Sequence, residues 1–242
     1  MCVQGSYLLV YNVFAGVLNN NTICLSSFYF KKDTIDFWLS FGIEPNTLDL
    51  GNVYPISNGW FLENGILKPN YFHYPNDPCY CYDFGNGVYK LYMPFREKGK
   101  KFLQTNTTVI QGHNILPDVA NNLIITKSYK DVLALRKFAH EFDLYAVAPM
   151  AETVVITIDQ YSDLYNRFDN RVTLFDFDRA GIRLARKYES LFKLQPLFFG
   201  SLYKKLGIKD FADHCKIKGE DETRRLIESL LKSKQKWYDI NF

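Results

Sequence analysis

The sequence predicts a mixed chain, with a hairpin-rich α+β first half followed by an α/β second half built on a central, mostly parallel sheet. Three observations carry this reading. Between residues 31 and 118, short aromatic and β-branched runs are broken by turn signals such as Asn58-Gly59, Asn64-Gly65 and Gly85-Asn-Gly87, as antiparallel hairpins require. From residue 119 onward, apolar runs alternate with amphipathic stretches, the order expected of parallel strands joined by helical crossovers. Finally, 242 residues that are 47% hydrophobic and 17% aromatic are enough to bury a core, which excludes a disordered or low-complexity chain.

Taken in order, residues 1–30 carry no clear assignment. A short helix is expected over residues 33–41, stopped by Gly42. The turn-rich hairpins follow as far as Pro117. Strands are then expected at residues 123–125, 144–148, 172–175 and 197–199. Helices are expected at 130–140, 158–168, 179–192 and 220–236, with Leu133, Ala134 and Phe138 inward on the first and Ile182, Ala185 and Leu191 inward on the third. The domain boundaries that follow are an unassigned segment 1–30, a first subdomain 31–118, an α/β domain 119–214 and a C-terminal helical segment 215–242.

The net charge of +3 conceals strong patterning: −4 over residues 1–89, +6 over 90–140, −6 over 141–178 and +7 over 179–242. Solvated faces are one explanation; an acidic metal site beside surfaces that bind polyphosphate is the other. The five cysteines are scattered and odd in number, which suits reduced thiols in a cytoplasm. His73, Cys79 and Cys81 do not have zinc-ligand spacing, so no zinc is expected, and a short strand is the alternative. The apolar stretch 7–18 is broken by Asn12 and Gly16 and is too short to span a bilayer, so no membrane association is expected.

In parallel sheets chemistry sits at the carboxyl ends of the strands. The strand expected at 172–175 runs into Asp176 and Asp178, two carboxylates that can aim at one point. Such hard oxygen ligands suit Mg²⁺, which keeps several waters and bridges to substrate phosphates. The competing explanation makes Asp178 a helix N-cap and Asp176 a loop residue.

Asp176-Phe-Asp-Arg-Ala-Gly181, followed by Ile182-Arg-Leu-Ala-Arg-Lys187, resembles the metal-binding segment of Toprim domains, most closely that of bacterial-type and phage DNA primases. Leu123-Ile-Ile-Thr-Lys-Ser-Tyr-Lys-Asp-Val-Leu-Ala-Leu135 resembles the first Toprim motif, with an acid at Asp131. Ile208-Lys-Asp-Phe-Ala-Asp213 is similar to the third acidic segment, with Asp210 and Asp213. The likeness extends more thinly to residues 37–48, 53–56 and 100–112. It implies a primase catalytic core that uses Mg²⁺ or Mn²⁺, held by Asp176, Asp178 and Asp210, to make RNA primers from ribonucleoside triphosphates on single-stranded DNA during DNA replication. It also implies a cytoplasmic setting, the host cytoplasm for a phage protein, with a replicative helicase and a template-recognition module supplied in trans.

One departure bears on that chemistry. Where the family has a Glu followed by Gly at the end of the first Toprim strand, this chain has Lys127 and Ser128. A lysine cannot bind Mg²⁺ but can hold phosphate. Glu152, just past the end of the second strand, is the expected replacement carboxylate, with helix flanking as its alternative. Lys100, Lys101, Lys127 and Arg179 are the candidate contacts to nucleic acid or nucleotide. Arg183, Arg186 and Lys187 are read as either the polar face of their helix or further phosphate contacts. Two functions compete with primer synthesis: a non-catalytic Toprim module that binds nucleic acid, and a Toprim nuclease.

Overall fold

The computed structural model describes residues 13–18, 21–64, 66–104, 108–151, 153–176, 178–198 and 205–240. The chain divides into two compact units. One is built from the segments up to Trp38 and from Leu48 to the neighbourhood of residue 104; the other comprises Leu39–Thr47 and the chain from Thr108 onward.

The first unit is an antiparallel sheet. Its elements are β1 (Val13–Leu18), β2 (Asn21–Ser27), the helix α1 (Lys32–Leu39), whose last residue is counted with the second unit, β3 (Val53–Glu63), β4 (Ile66–Phe72), β5 (Tyr80–Asp83), β6 (Tyr89–Tyr92) and β7 (Phe102–Gln104); the helix α2 (Pro45–Leu50) is divided between the two units after Thr47. The order is β1-β2-β3-β5-β6-β7, with β4 also paired to β3. The 11-residue β3 serves both halves: Asn58 to Glu63 pair with β4, while Val53 to Pro55 pair with β5. The segment left unassigned in the sequence therefore supplies two strands, β1 and β2. Ile23, Leu25, Ile56, Cys79, Cys81, Leu91 and Met93 form one buried cluster. Burial raises both thiols of Cys79 and Cys81, so they behave as small apolar groups. Trp38 packs edge-on to Tyr80 at 5.0 Å, close to Tyr82 and Tyr92, which accounts for much of the aromatic load of this half.

The second unit is the α/β half. It contains β8 (Ile110–Gln111), β9 (Ala120–Thr126), α3 (Tyr129–Arg136), α4 (Ala139–Phe142), β10 (Leu144–Pro149), α5 (Ile158–Arg167), β11 (Phe168–Phe175), α6 (Arg179–Phe192), β12 (Gln195–Phe198) and α7 (Phe211–Ile240). The order β12-β11-β9-β10-β8 is parallel across its first four strands, and β8 runs antiparallel at the edge. Leu123, Ile125, Val147, Phe168 and Phe175 of the sheet pack with Leu164 of α5 and with Leu184, Ala185, Tyr188 and Phe192 of α6. Ile124, Leu144, Val172 and Leu197 meet Ile227 and Leu230 of α7. Among the described residues no helix is long and apolar enough to cross a membrane.

Three local expectations need correction. Leu191 is 62% exposed; the inward stripe of α6 is Gly181, Leu184, Ala185, Tyr188 and Phe192, a spacing of three or four residues that fits the helical period. The helix expected over 130–140 breaks after Arg136, where Phe138 turns inward against Phe211 with ring centroids 6.2 Å apart. Strand β11 begins at Phe168, four residues earlier than its apolar run suggested. The helix expected from residue 220 is present, and a shorter helix from Phe211 leads into it across a non-helical kink at Gly219, which has φ 78° and ψ −178°. There Thr223 Oγ1 donates to the Gly219 carbonyl at 2.7 Å and lies 2.9 Å from His214 Nδ1.

Gly112, just past β8, has φ +86°, and a Cβ placed there would stand 2.7 Å from Val132 Cγ1 and 3.2 Å from the Ala146 carbonyl. Gly112→Ala should therefore cost about 1–3 kcal/mol, from the left-handed backbone and the clash together. Urea unfolding of the variant against the parent measures this, and equal midpoints would show that the α3–β10 packing yields freely.

Candidate functional site

Register places the chemistry. Leu174 of β11 lies opposite Thr126 of β9, so the residues that leave the two strands, Asp176 and Lys127, emerge side by side at the carboxyl edge. Beyond β9 the chain turns at Ser128, which caps α3 by accepting from Asp131 N at 3.2 Å. Beyond β11, Asp178 caps α6: its Oδ1 accepts from Ala180 N at 2.9 Å and Gly181 N at 2.8 Å. Gly181 is required here, because a Cβ would lie 2.2 Å from the Asp176 carbonyl oxygen. The helix can approach the strand end this closely only without a side chain at that position.

Asp131 is fully buried and well supplied with donors. Its Oδ1 accepts from Ala212 N at 3.0 Å; its Oδ2 accepts from Ser128 Oγ at 2.7 Å and, at a longer 3.4 Å, from Thr126 Oγ1. Burial, reinforced by Asp210, pushes its carboxyl up to about 7, against the pull of Lys130 and Lys127.

The Lys127 ammonium stands 2.5 Å from Asp176 Oδ2 and 3.7 Å from Asp210 Oδ2. Burial disfavours its charge, but the carboxylates of Asp210, Asp176 and Asp131 outweigh that cost and raise it well above an ordinary lysine. Burial lifts Asp176 to about 6, with Lys127 pulling the other way, so the pair is ionised at neutral pH. Lys130 Nζ lies 3.6 Å from Asp210 Oδ2 and 3.4 Å from Asp213 Oδ1, and sits over the ring of Phe41 at 4.2 Å. Asp210 in turn accepts from Asp213 N at 2.7 Å, at the start of α7. Lys130 was not singled out in the sequence, although its place two residues after the Ser128 cap put it on the same edge.

The remaining candidates divide as follows. Asp178 and Arg179 are exposed at the start of α6. Arg183, Arg186 and Lys187 continue an exposed basic stripe along that helix, and among the described residues none of these four cations has a carboxylate partner. Lys100 is exposed and paired with Glu97 at 3.0 Å, Lys101 is half-buried, and Arg96 clasps Asp77 through Nε and Nη2; all belong to the first unit. Glu152 lies outside the described residues.

The resemblance implies a divalent metal. The donor chemistry fits: Asp176, Asp178 and Asp210 are hard oxygen ligands, and Asp176 Oδ1 is buried without a hydrogen-bond partner. Among the described residues, however, no three His, Cys, Asp or Glu side chains are gathered into a metal-binding group. The charge next to Asp176 is that of Lys127.

No protein-family model matches the chain, and no curated protein matches it in sequence. Among solved structures it is similar to the primase fragment of the bacteriophage T7 primase-helicase protein, with 16% identity and a TM-score of 0.54 over 77% of this chain and 70% of that one. A second match, with 16% identity and a TM-score of 0.49 over 78% of this chain and 87% of the other, is to a structure of the bacteriophage T7 lagging-strand DNA polymerase interacting with primase domains of two gp4 subunits bound to an RNA/DNA hybrid and dTTP. The first likeness shows that this chain has a primase-like fold.

Asp131 yields a test of the site's electrostatics. Its carboxyl titrates near 3.8 when unfolded and near 7 in the fold, so the native state holds the extra proton between those values. Its contribution to stability is therefore present at low pH and lost as pH rises from about 4 to about 7. Asp131→Asn removes this titration, and the stability of the variant relative to the parent should climb across that window in urea unfolding at stepped pH. A flat difference would show that Asp131 carries no such shift.

Proposed function

We propose that this chain is a primase-like catalytic core that synthesises RNA primers on single-stranded DNA in DNA replication, with its chemistry at the carboxyl edge of the second unit's parallel sheet. The observation that carries the reading is the convergence of Asp176 and Asp210 on one cation at that edge, in a primase-like fold. Asp176, Asp178 and Asp210 would hold Mg²⁺ or Mn²⁺, with Glu152, three residues past the end of β10, as a further carboxylate. A bound divalent ion would neutralise the triphosphate and stabilise charge that builds up during in-line attack.

The side chains have separable roles in this scheme. Asp178 fixes the start of α6 through its Oδ1, and its Oδ2 remains for a ligand. Arg179, Arg183, Arg186 and Lys187 present positive charge along α6 from the acidic edge outward, as a backbone-tracking surface requires. Lys100 and Lys101 are proposed as further template contacts, and a helicase and a template-recognition module as partners in trans. The ion pair of Lys127 with Asp176 favours one second reading, in which the chain binds nucleic acid and does not polymerise.

Primer synthesis from ribonucleotides on a single-stranded template with Mg²⁺ should be detectable for the parent chain and undetectable for Asp176→Asn. The double variant Arg183→Ala/Arg186→Ala should weaken binding to single-stranded DNA and lower the slope of log affinity against log salt by about 1.4, two phosphate contacts at ~0.7 each. Fluorescence anisotropy across a salt series measures the slope. Binding without synthesis would select the second reading, and the absence of both would overturn the proposal.

A further inference from the structure

We propose that Lys127 is the resident cation of the acidic edge, a tethered ammonium that keeps a divalent ion off Asp176 and Asp210 until it is drawn away. The inference rests on the proposed function in treating those carboxylates as ion-binding groups, and it adds a reason why the ion should bind poorly to the free protein.

Three observations converge. First, Lys127 is the sole cation on Asp176 among the described residues, whereas Asp210 is shared with Lys130 at 3.6 Å. If Lys127 left, Asp176 would become a buried carboxylate without counter-charge, an unfavourable state unless a proton or another cation replaces the ammonium. Second, Asp176 Oδ1 is buried and without a hydrogen-bond partner, so one oxygen of the carboxylate is still unsatisfied with Lys127 in place. Third, Lys127, Asp176 and Asp178 line one small cavity with Phe175, Ala180, Gly181 and Leu184, so the ammonium and both carboxylates face the same space.

The contact itself decides between coexistence and exchange. The ammonium stands 2.5 Å from Asp176 Oδ2 and 3.7 Å from Asp210 Oδ2, the oxygens that an ion bridging these carboxylates would take. Two cations cannot share those oxygens at bonding distance without strong repulsion, so the ion and the lysine head compete for them. Lys127 has a four-carbon stem and an ammonium with three rotatable donors, so it can leave the carboxylates without moving its backbone. A phosphate-bearing ligand at the edge would give it a new partner. Ion and phosphate would then bind with positive coupling, each favouring the state in which Lys127 has let go of Asp176.

The test reads ion binding in the absence of nucleotide, so it is independent of primer synthesis. Mn²⁺ is titrated into the full chain, with free Mn²⁺ followed by its paramagnetic resonance signal. The parent, Lys127→Met, Lys127→Arg and the double variant Lys127→Met/Asp176→Asn are compared. Lys127→Met, which keeps the length of the stem and removes the charge, should bind Mn²⁺ at least about tenfold more tightly than the parent. Lys127→Arg should stay weak, and the double variant should lose the gain. Mn²⁺ should also raise the thermal midpoint of Lys127→Met and leave that of the parent nearly unchanged, which reports on a folded binding-competent state directly. Equal Mn²⁺ affinity in the parent and a folded Lys127→Met, or a gain that survives Asp176→Asn, would overturn the inference. Failure to synthesise primers, with the Mn²⁺ gain intact, would count against the proposed function and leave the role of Lys127 standing.

Discussion

Four aspartates meet near the carboxyl ends of β9 and β11, and a carboxylate withdrawn from water must find a cation or a set of N–H and O–H donors. The solutions differ from one residue to the next. Asp131 uses neutral donors from three places in the chain: Thr126 at the end of β9, Ser128 at the cap of α3 and Ala212 at the start of α7. Asp176 relies on Lys127; Asp210 divides itself between Lys127 and Lys130. Satisfying these groups ties together elements that are up to 83 residues apart in sequence. Buried pairs of this kind are poor sources of stability, since well-packed apolar residues serve as well or better, and a motive other than stability is needed for keeping so many carboxylates at one edge.

Backbone packing decides how close the groups come. Strand register sets Lys127 beside Asp176, and Gly181 lets the first turn of α6 close onto the Asp176 carbonyl. The N-terminus of α6, capped by Asp178, then points its partial positive charge at the acidic edge. The exposed arginines of the same helix lead away from it. Acid and base are thus separated along one helix, with the carboxylates at its start and the exposed cations further along.

Much of this was legible in the sequence because it is local. The alternation of strand and helix after residue 119, the span of α6 from Arg179 to Phe192, and the emergence of Asp176 and Asp178 at a strand end all follow from periodicity over a few residues. What escaped was set by distant partners. Lys127 and Asp176 are 49 residues apart, and nothing near Lys127 says that its ammonium belongs to a carboxylate. Phe138 ends α3 because Phe211 is there to receive it. Strands β1 and β2 gain their identity from pairing with each other and with β3, and their own residues carry only a weak signal.

The charge balance of the edge connects the fold to its chemistry. Asp131, Asp176, Asp210 and Asp213 face Lys127 and Lys130, four carboxylates against two ammonium groups, so the cluster remains short of positive charge even with both lysines in place. The raised carboxyls of Asp131 and Asp176 are the protonic answer to that deficit: they take up protons at a pH where free aspartates would not. A divalent ion is the other answer, and it relieves the deficit only if it brings more charge than it displaces. Exchanging one ammonium for one divalent ion adds a single positive charge to the carboxylates and frees a lysine for an anion. Under the proposed exchange, a cation alone would displace Lys127 into water and an anion alone would strip Asp176 of its counter-charge, whereas together the ion replaces the lysine on Asp176 and the anion receives the freed ammonium. Because a fold does not by itself fix a function, it is this balance among side chains, set by strand register and a single glycine, on which the proposed exchange of ions rests.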